Sequence, residues 1–248
     1  MYDPVEKAKA IEKVVCQDSR KKYHRFRAAR FYGGIATADC IGCCLGCVFC
    51  WSWNQVTHPN RYGRFYSPEE VAAKLTSIAR KKDYEQVRIS GGEPTLCHEH
   101  LLEVIQHIPD DLQFILETNG ILLGHDVSYV QDLAAFPNLY VRVSLKGASE
   151  EEFSRLTGAD PEAFNLQLKA LENLQNFSVT AHPAVMVSFS TEQSLALLRK
   201  RLKKIAMPFA DFEVEELILY GNTAQRLQEA GIEYHRAHTP SKLPPEQI

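Results

Sequence analysis

Six strand-like segments alternate with helix-like segments along this chain, and that alternation is the strongest constraint on its fold. The strands are predicted at residues 31–38, 86–90, 114–117, 139–145, 179–189 and 214–219. Short connections that each contain a helix imply parallel strands joined by right-handed crossovers. A closed barrel of eight such units takes about 250 residues, and this chain has 248 with no predicted strand before residue 31. We therefore expect a single-domain α/β fold, an incomplete (β/α)6 barrel of parallel strands.

Helix-start signals mark the connections. Ser67 precedes Pro68 and is followed three residues later by Glu70, which is the pattern of a capping box, and the helix should continue to about Lys82. Helices are also predicted at 98–107, 126–135 and 191–206, and further helical segments are expected to be capped by Ser149 with Glu152 and by Asp160 with Pro161.

No linker or internal repeat divides the chain. We expect a basic, helical N-terminal extension over residues 1–30, the barrel over 31–231, and a C-terminal tail over 232–248. The prolines of this tail predict an extended conformation.

The fourth predicted strand indicates which side chains line the barrel. Successive side chains point to opposite faces of a strand, so Arg142, Ser144 and Lys146 share the face opposite the aliphatic residues. If helices cover the aliphatic face, the polar face points into a TIM-like barrel. An antiparallel sheet with one wet face is the alternative.

Composition excludes several classes of protein. The chain is 45% hydrophobic and 24% charged, with a net charge of −3, which excludes a strongly basic DNA-coating protein. No apolar run approaches the roughly 18 residues of a membrane span, and the amino terminus does not resemble a signal peptide. We expect a cytoplasmic protein without a membrane partner.

Five of the seven cysteines fall within eleven residues, at positions 40, 43, 44, 47 and 50. Cys43, Cys47 and Cys50 form a C-x3-C-x2-C group directly after the first predicted strand, and three thiolates can hold three irons of a 4Fe–4S cluster. Positions 40, 44 and 47 have the same spacing. The later triplet is favoured because Phe49, just before its last cysteine, supplies an apolar wall beside the cluster.

Other uses of these cysteines stay open. Two C-x2-C pairs separated by only three residues are a poor match to zinc sites, where about 12 to 20 residues are usual. A bacterial ferredoxin run would need a different order and a following proline. Plain buried or redox-sensing thiols are the third alternative.

The cysteine group is followed about forty residues later by Gly91-Gly92-Glu93-Pro94, also directly after a strand. Together these motifs resemble the radical S-adenosylmethionine (SAM) superfamily, over about residues 31–231. In its size, the chain is most similar to the compact branch of this superfamily that contains the glycyl-radical-enzyme activases. Those activases commonly have His-Asn after the third cysteine, where this chain has Trp51-Ser52.

The resemblance implies one 4Fe–4S cluster, held by Cys43, Cys47 and Cys50, and a SAM site at the ends of the strands. It implies that the Gly-Gly-Glu turn binds the amino group of SAM, that a polar group after the fourth strand contacts its ribose or carboxylate, and that the sixth strand ends near its adenine. The positions expected to contact SAM are Phe49, Gly91, Gly92, Glu93, Thr118, Asn119, Ser144, Lys146, Met186 and Tyr220. Ordinary turn, core or barrel-filling roles are the alternatives, and Cys40 and Cys44 are expected to be buried thiols.

The segment Arg20 to Arg30 is basic and interleaved with aromatic residues. It can be a solvated helix face with aromatics turned to the core, an RNA-binding tract, or a docking site for an acidic protein surface.

The resemblance implies reductive cleavage of SAM to a 5′-deoxyadenosyl radical that abstracts hydrogen from a substrate, with flavodoxin or a ferredoxin as the electron donor. A glycyl residue of a partner enzyme, an RNA base, and a small metabolite or peptide are the candidate substrates. A non-catalytic iron–sulfur, RNA-binding or electron-transfer protein is the competing hypothesis, and it would not require the Gly-Gly-Glu turn.

Overall fold

The computed structural model describes residues 1–244, which form one large sheet wrapped by helices. The strands are β1 (Cys16–Gln17), β2 (Arg20–Ala29), β3 (Ile35–Cys40), β4 (Arg64–Tyr66), β5 (Gln86–Gly91), β6 (Gln113–Thr118), β7 (Leu139–Leu145), β8 (Ala181–Met186), β9 (Glu213–Glu215), β10 (Leu217–Ile218) and β11 (Ala237–His238). The α-helices are α1 (Pro4–Val15), α2 (Trp53–Thr57), α3 (Pro68–Lys82), α4 (His98–Gln106), α5 (Ile121–His125), α6 (Val127–Leu133), α7 (Glu150–Thr157), α8 (Phe164–Asn176), α9 (Glu192–Ile205) and α10 (Thr223–Glu229).

Six strands are parallel to one another, in the order β3, β5, β6, β7, β8 and β9. The strands follow chain order, and helices lie in the connections between them, as βα units require. Within residues 1–244, β9 does not pair with β2 or β3, so the barrel is open on one side. The predicted incomplete barrel of six βα units is confirmed.

The two faces of the parallel strands differ as predicted. Val87 and Ile89 of β5 lie in the apolar core under the helices, while Arg88 and Ser90 face the inside of the barrel. Arg142, Ser144 and Lys146 also face the interior. The alternative of an antiparallel sheet is wrong for this part of the chain.

The N-terminal extension is helical only in α1. Arg20–Ala29 is strand β2, which pairs antiparallel with β3 and extends the sheet. Burial alternates at its start, because Lys21 and Tyr23 are buried while Arg20 is exposed, and this period of two belongs to a strand. The interpretation of the basic segment as a helix face is therefore wrong.

The predicted boundaries differ from the observed ones at the first unit and at the later units. The predicted strand 31–38 is observed as β3, Ile35–Cys40, because Phe31–Gly33 forms a 3-10 turn. The predicted strand 179–189 ends at Met186, and the predicted strand 214–219 is split into β9 and β10. The hydroxyl of Ser188 accepts a hydrogen bond from the backbone N–H of Leu217 at 2.8 Å, which replaces a ladder partner at the break. Strand β10 pairs instead with β11, so part of the predicted tail belongs to a small second sheet. Residues 245–248 of that tail lie outside the described residues.

Two helix predictions also need correction. The helix predicted at 126–135 is α6, which Asp126 caps through a 2.9 Å bond from the backbone N–H of Ser128, but an unpredicted helix, α5, precedes it. Asp160 makes no side-chain cap, and only a 3-10 turn, Pro161–Ala163, follows it before α8.

A disulfide joins Cys16, just after α1, to Cys97, just before α4. The sequence assigned no partner to either cysteine. In residues 1–244 every helix is too short or too polar to cross a bilayer.

The capping box at the start of α3 is confirmed. Ser67 Oγ accepts from the backbone N–H of Glu70 at 3.3 Å, and the Glu70 carboxylate accepts from the backbone N–H of Ser67 at 2.8 Å. Two N–H groups that the helix itself cannot satisfy are thereby paired.

We expect Ser67→Ala to lower the free energy of unfolding by about 1 kcal/mol, because the cap is lost. Ser77→Ala is the matched control, since Ser77 is exposed in the interior of the same helix and alanine favours that position. Urea unfolding monitored by circular dichroism measures both. Equal losses in the two variants would contradict a capping role.

Candidate active site

A cavity of about 960 Å³ occupies the inside of the barrel and opens at the carboxyl ends of the parallel strands. Barrel enzymes place their chemistry at this end. All thirteen residues predicted to hold a cluster or SAM line this one cavity: Cys43, Cys47, Phe49, Cys50, Gly91, Gly92, Glu93, Thr118, Asn119, Ser144, Lys146, Met186 and Tyr220.

The cysteine loop separates its five thiols into two groups. Cys43, Cys47 and Cys50 line the cavity, whereas Cys40 and Cys44 are fully buried behind it. A hydrogen bond between the neighbouring thiols of Cys43 and Cys44 lowers the pKa of Cys43 and raises that of Cys44. Cys44 therefore stays protonated and supports a thiolate at Cys43.

The three cavity-lining thiols fit a cluster better than a single ion. Among residues 1–244, no three His, Cys, Asp or Glu side chains converge on one point as a mononuclear metal requires. The cysteines of an iron–sulfur cluster bind different irons, so they do not need to converge in this way. Burial raises the pKa of Cys50 to about 11 in the protein alone, and metal binding would favour the thiolate.

The Gly-Gly turn is hydrogen-bonded directly to the cysteine loop. The backbone N–H of Gly92 donates to Cys40 O at 3.0 Å, and that of Glu93 donates to Gly42 O at 2.7 Å. Any side chain on Gly92 would meet the Gly42 carbonyl oxygen at 2.1 Å, and Gly91 has a φ of +96°. Both positions therefore require glycine, and the two predicted motifs form one unit.

The Glu93 carboxylate is buried, at 1% exposure, and both of its oxygens accept hydrogen bonds from other groups of the protein. One oxygen accepts from Thr95 N, Thr95 Oγ1 and Thr118 Oγ1 at 2.6–3.1 Å, and the other accepts from Asn119 N at 2.8 Å. Glu93 thus ties the Gly-Gly turn to the end of β6. Its side chain acts as a structural anchor, which leaves the backbone of the turn to face a ligand.

Lys21 is a second anchor of this turn, and the sequence did not reveal it. Its side chain is fully buried, and Nζ donates to the carbonyl oxygens of Glu93, Pro94 and Leu96 at 2.9, 2.8 and 2.5 Å. Sequence reasoning grouped Lys21 with a solvated basic tract. The one local signal is the position of Lys21 two residues before Tyr23, which places both side chains on one face of a strand.

Two further residues position the loops from distant helices. Arg226 of α10 donates to Val48 O at 3.0 Å and Cys50 O at 2.7 Å, on both sides of Phe49. Gln167 of α8 donates to Ser144 O at 3.0 Å and accepts from Lys146 N at 3.1 Å. Nothing in the local sequence marks either residue, because each partner lies at least 21 residues away.

The other predicted contacts lie around the mouth of the cavity. Asn119 Nδ2 donates to Cys44 Sγ at 3.3 Å, so it supports the cysteine loop from the end of β6. Ser144 Oγ accepts from Arg142 at 2.9 Å, and Lys146 Nζ lies 4.0 Å from Glu215. Phe49 packs on Phe189 with ring centroids 5.3 Å apart.

A layer of charged side chains lies below the mouth of the cavity and consists of Arg88, Glu117, Arg142, Glu213 and Glu215. Glu117 accepts from Arg88 at 2.5 Å and Ser90 at 2.8 Å, and Arg142 donates to Glu213 and Glu215 at 2.6 and 2.9 Å. Burial opposes ionisation of Glu117, but the nearby guanidinium groups outweigh it and lower its pKa to about 2. This part of the wall is therefore ionised and internally paired.

Comparison with known proteins agrees with this geometry. Residues 40–202 match the Radical SAM superfamily. The "Probable GTP 3',8-cyclase" of Pyrobaculum aerophilum is 28% identical over 166 residues, covering 66% of this chain and 50% of the relative. The "GTP 3',8-cyclase" of Clostridium perfringens (strain SM101 / Type A) is 29% identical over 169 residues, covering 65% and 49%. The chain thus spans about half the length of these curated relatives.

Solved structures share the fold. Streptococcus suis SuiB bound to S-adenosylmethionine superimposes with a TM-score of 0.58 at 16% identity, covering 83% of this chain and 52% of SuiB. SuiB bound to its precursor peptide SuiA gives a TM-score of 0.56 at 15% identity, covering 83% and 48%.

An open α/β barrel with three cysteines and a Gly-Gly-Glu turn at its mouth defines the class of iron–sulfur barrel enzymes. The chain belongs to the radical SAM superfamily. A 4Fe–4S cluster and SAM are its cofactors, and radical SAM enzymes need an electron donor.

We expect Lys21→Met to lower the free energy of unfolding by about 3 kcal/mol or more, because three buried carbonyl groups lose their shared hydrogen-bond donor. Lys22→Met is the matched control, since Lys22 is only half-buried and its Nζ donates to Pro59 O alone, at 3.1 Å. Urea unfolding of both variants is the measurement. A loss in Lys21→Met no greater than that of the control would contradict the anchoring role.

Proposed function

We propose that this protein uses SAM to abstract a hydrogen atom from a substrate held in the barrel. The observation that carries the proposal is the junction of the cysteine loop and the Gly-Gly turn at one cavity, through the bonds of Gly92 and Glu93. A protein that only carried electrons would not need this turn beside its thiols.

Cys43, Cys47 and Cys50 would hold three irons of the cluster, because these thiols alone among the five line the cavity. Phe49 supplies an apolar wall between two of them, and Arg226 fixes the backbone on both sides of it. Cys40 and Cys44 stay outside the ligand set as buried thiols.

The SAM site would follow from the same geometry. The backbone of Gly91 and Gly92 permits close approach of the amino group, and Lys146 offers an ammonium to a carboxylate. Met186 and Tyr220 offer apolar surface at the carboxyl ends of the later strands. When bound and reduced, the cluster would supply the electron that cleaves SAM to methionine and a 5′-deoxyadenosyl radical. The residues of the barrel wall would exclude water and limit access to the reacting group.

The substrate would enter through the open side between β2 and β9. Ligand sites typically occupy about 300–1,000 Å³, and a cavity of about 960 Å³ therefore offers room beside SAM. The charged layer favours a polar substrate. The relatives reported above are named as GTP cyclases and a peptide-binding enzyme, so a nucleotide and a peptide are both candidates, and assignment to the activase-like branch stays a prediction.

We propose flavodoxin or a ferredoxin as the electron donor, because the chain has no second cluster motif. An RNA or a protein glycyl residue as substrate would also fit the open side of the barrel.

Anaerobically reconstituted protein should convert SAM to 5′-deoxyadenosine when dithionite is added, and Cys47→Ala should abolish this by removing one iron ligand. Cys40→Ala is the control, because Cys40 belongs to the same group of five cysteines but does not line the cavity. Chromatography quantifies the product. Cluster-loaded, reduced parent protein that yields no product, even slowly, would overturn the proposal.

Iron counting tests the ligand set separately. Cys43→Ala and Cys50→Ala should bind clearly fewer than the roughly four irons of an intact cluster, whereas Cys40→Ala and Cys44→Ala should retain them. Colorimetric iron analysis after reconstitution provides the measurement. The opposite pattern would assign the cluster to Cys40, Cys44 and Cys47 instead.

A further inference from the structure

Two arginines of β2 share one buried carboxylate. Arg25 Nε donates to Asp39 at 2.6 Å, and Arg27 donates to it through Nε at 2.9 Å and Nη2 at 3.1 Å. The Asp39 side chain is only 2% exposed, and the two arginines donate to both of its oxygens. One negative charge faces two positive charges, which leaves a net charge of +1 at this point of the wall.

The excess charge belongs mainly to Arg25. Its side chain is 48% exposed, and it lines the cavity together with Arg27. Among residues 1–244, neither terminal nitrogen of the Arg25 guanidinium group has a hydrogen-bond partner. Trp51, 42% exposed, lies beside this group with its ring centroid 6.0 Å from the guanidinium carbon. A guanidinium group with free donors at an open cavity wall suits a bidentate anion.

The position of this group relates it to the proposed SAM site. Asp39 pairs with Ser90 in the register between β3 and β5, and Ser90 directly precedes Gly91. Arg25 pairs with Asp39 on the other side. Arg25 therefore lies level with the residue before the Gly-Gly turn, and Arg27, which pairs with Thr37, lies two residues further from the turn along the same strand.

The rest of the charged wall has no excess positive charge. Arg88 is paired with Glu117, and Arg142 and Lys146 lie against Glu213 and Glu215, so the positive and negative charges of that region balance. An anionic ligand that entered the cavity would thus be attracted to the β2 side.

We propose that Arg25 and Arg27 form a subsite for an anionic group of the substrate, a phosphate or a carboxylate, beside the flat surface of Trp51. The inference rests on the proposed function for its use in catalysis, although anion binding can be measured without it. The subsite would hold the anionic end of the substrate at the open side, with the reacting carbon directed toward the cluster.

Calorimetric titration of the oxidised, cluster-loaded, SAM-bound protein tests the subsite at low ionic strength. Inorganic phosphate and succinate are the two probes, and the comparison between them distinguishes a phosphate from a carboxylate ligand. We expect at least one probe to bind saturably. Arg25→Gln should weaken that binding by about tenfold or more, because it removes the uncompensated charge and its free donors.

Two further variants sharpen the test. Asp39→Asn should tighten binding, because it removes the carboxylate that competes with the ligand. Arg20→Gln is the matched control, since Arg20 is an exposed arginine of the same strand that does not line the cavity, and its affinity should equal that of the parent.

Failure of both probes to bind, or equal weakening by Arg25→Gln and Arg20→Gln, would overturn the subsite and leave the arginines as a brace between β2 and β3. These outcomes are independent of the proposed function, which is judged by 5′-deoxyadenosine formation in the parent protein. Anion binding in a protein that forms no 5′-deoxyadenosine would support the subsite and reject the radical reaction.

Discussion

The buried carboxylate of Glu93 is the interaction on which the site depends. It lies where the cysteine loop, the Gly-Gly turn and the end of β6 meet, and it accepts four hydrogen bonds there. Lys21 holds the carbonyl groups of the same turn from the opposite side. Buried polar groups are stable when they are hydrogen-bonded, so these contacts hold the turn in place. The thiols and the backbone of the Gly-Gly turn are thereby held in a fixed relation.

The cavity wall below that junction is polarised. Toward β7 and β9 the positive and negative charges balance, whereas on β2 they carry excess positive charge. β2 is also the strand beside the barrel opening. The position at which a substrate would enter and the position that attracts an anion therefore coincide, because the sheet ends there before the barrel closes.

Much of the fold could be predicted because its signals are local. The alternation of strands and helices, the Ser67 capping box and the alternating faces of β5 and β7 each depend on residues close in sequence. Strand β2 was missed because charged residues are common on exposed helix faces, and only its pairing with β3 makes the strand conformation favourable. The break between β9 and β10 was missed because it depends on the Ser188 side chain, 29 residues away from its partner.

By itself the sequence determined the family, the parallel barrel and the thirteen positions that gather at one cavity, because the spacing of cysteines and glycines after strands is a local pattern. Only the tertiary structure decided which cysteines face the cavity, that the Glu93 side chain is an anchor, and that Lys21, Gln167 and Arg226 brace the loops. Those roles arise from contacts between distant segments. Charge and burial at such contacts depend on which strands become neighbours, and no local pattern encodes that.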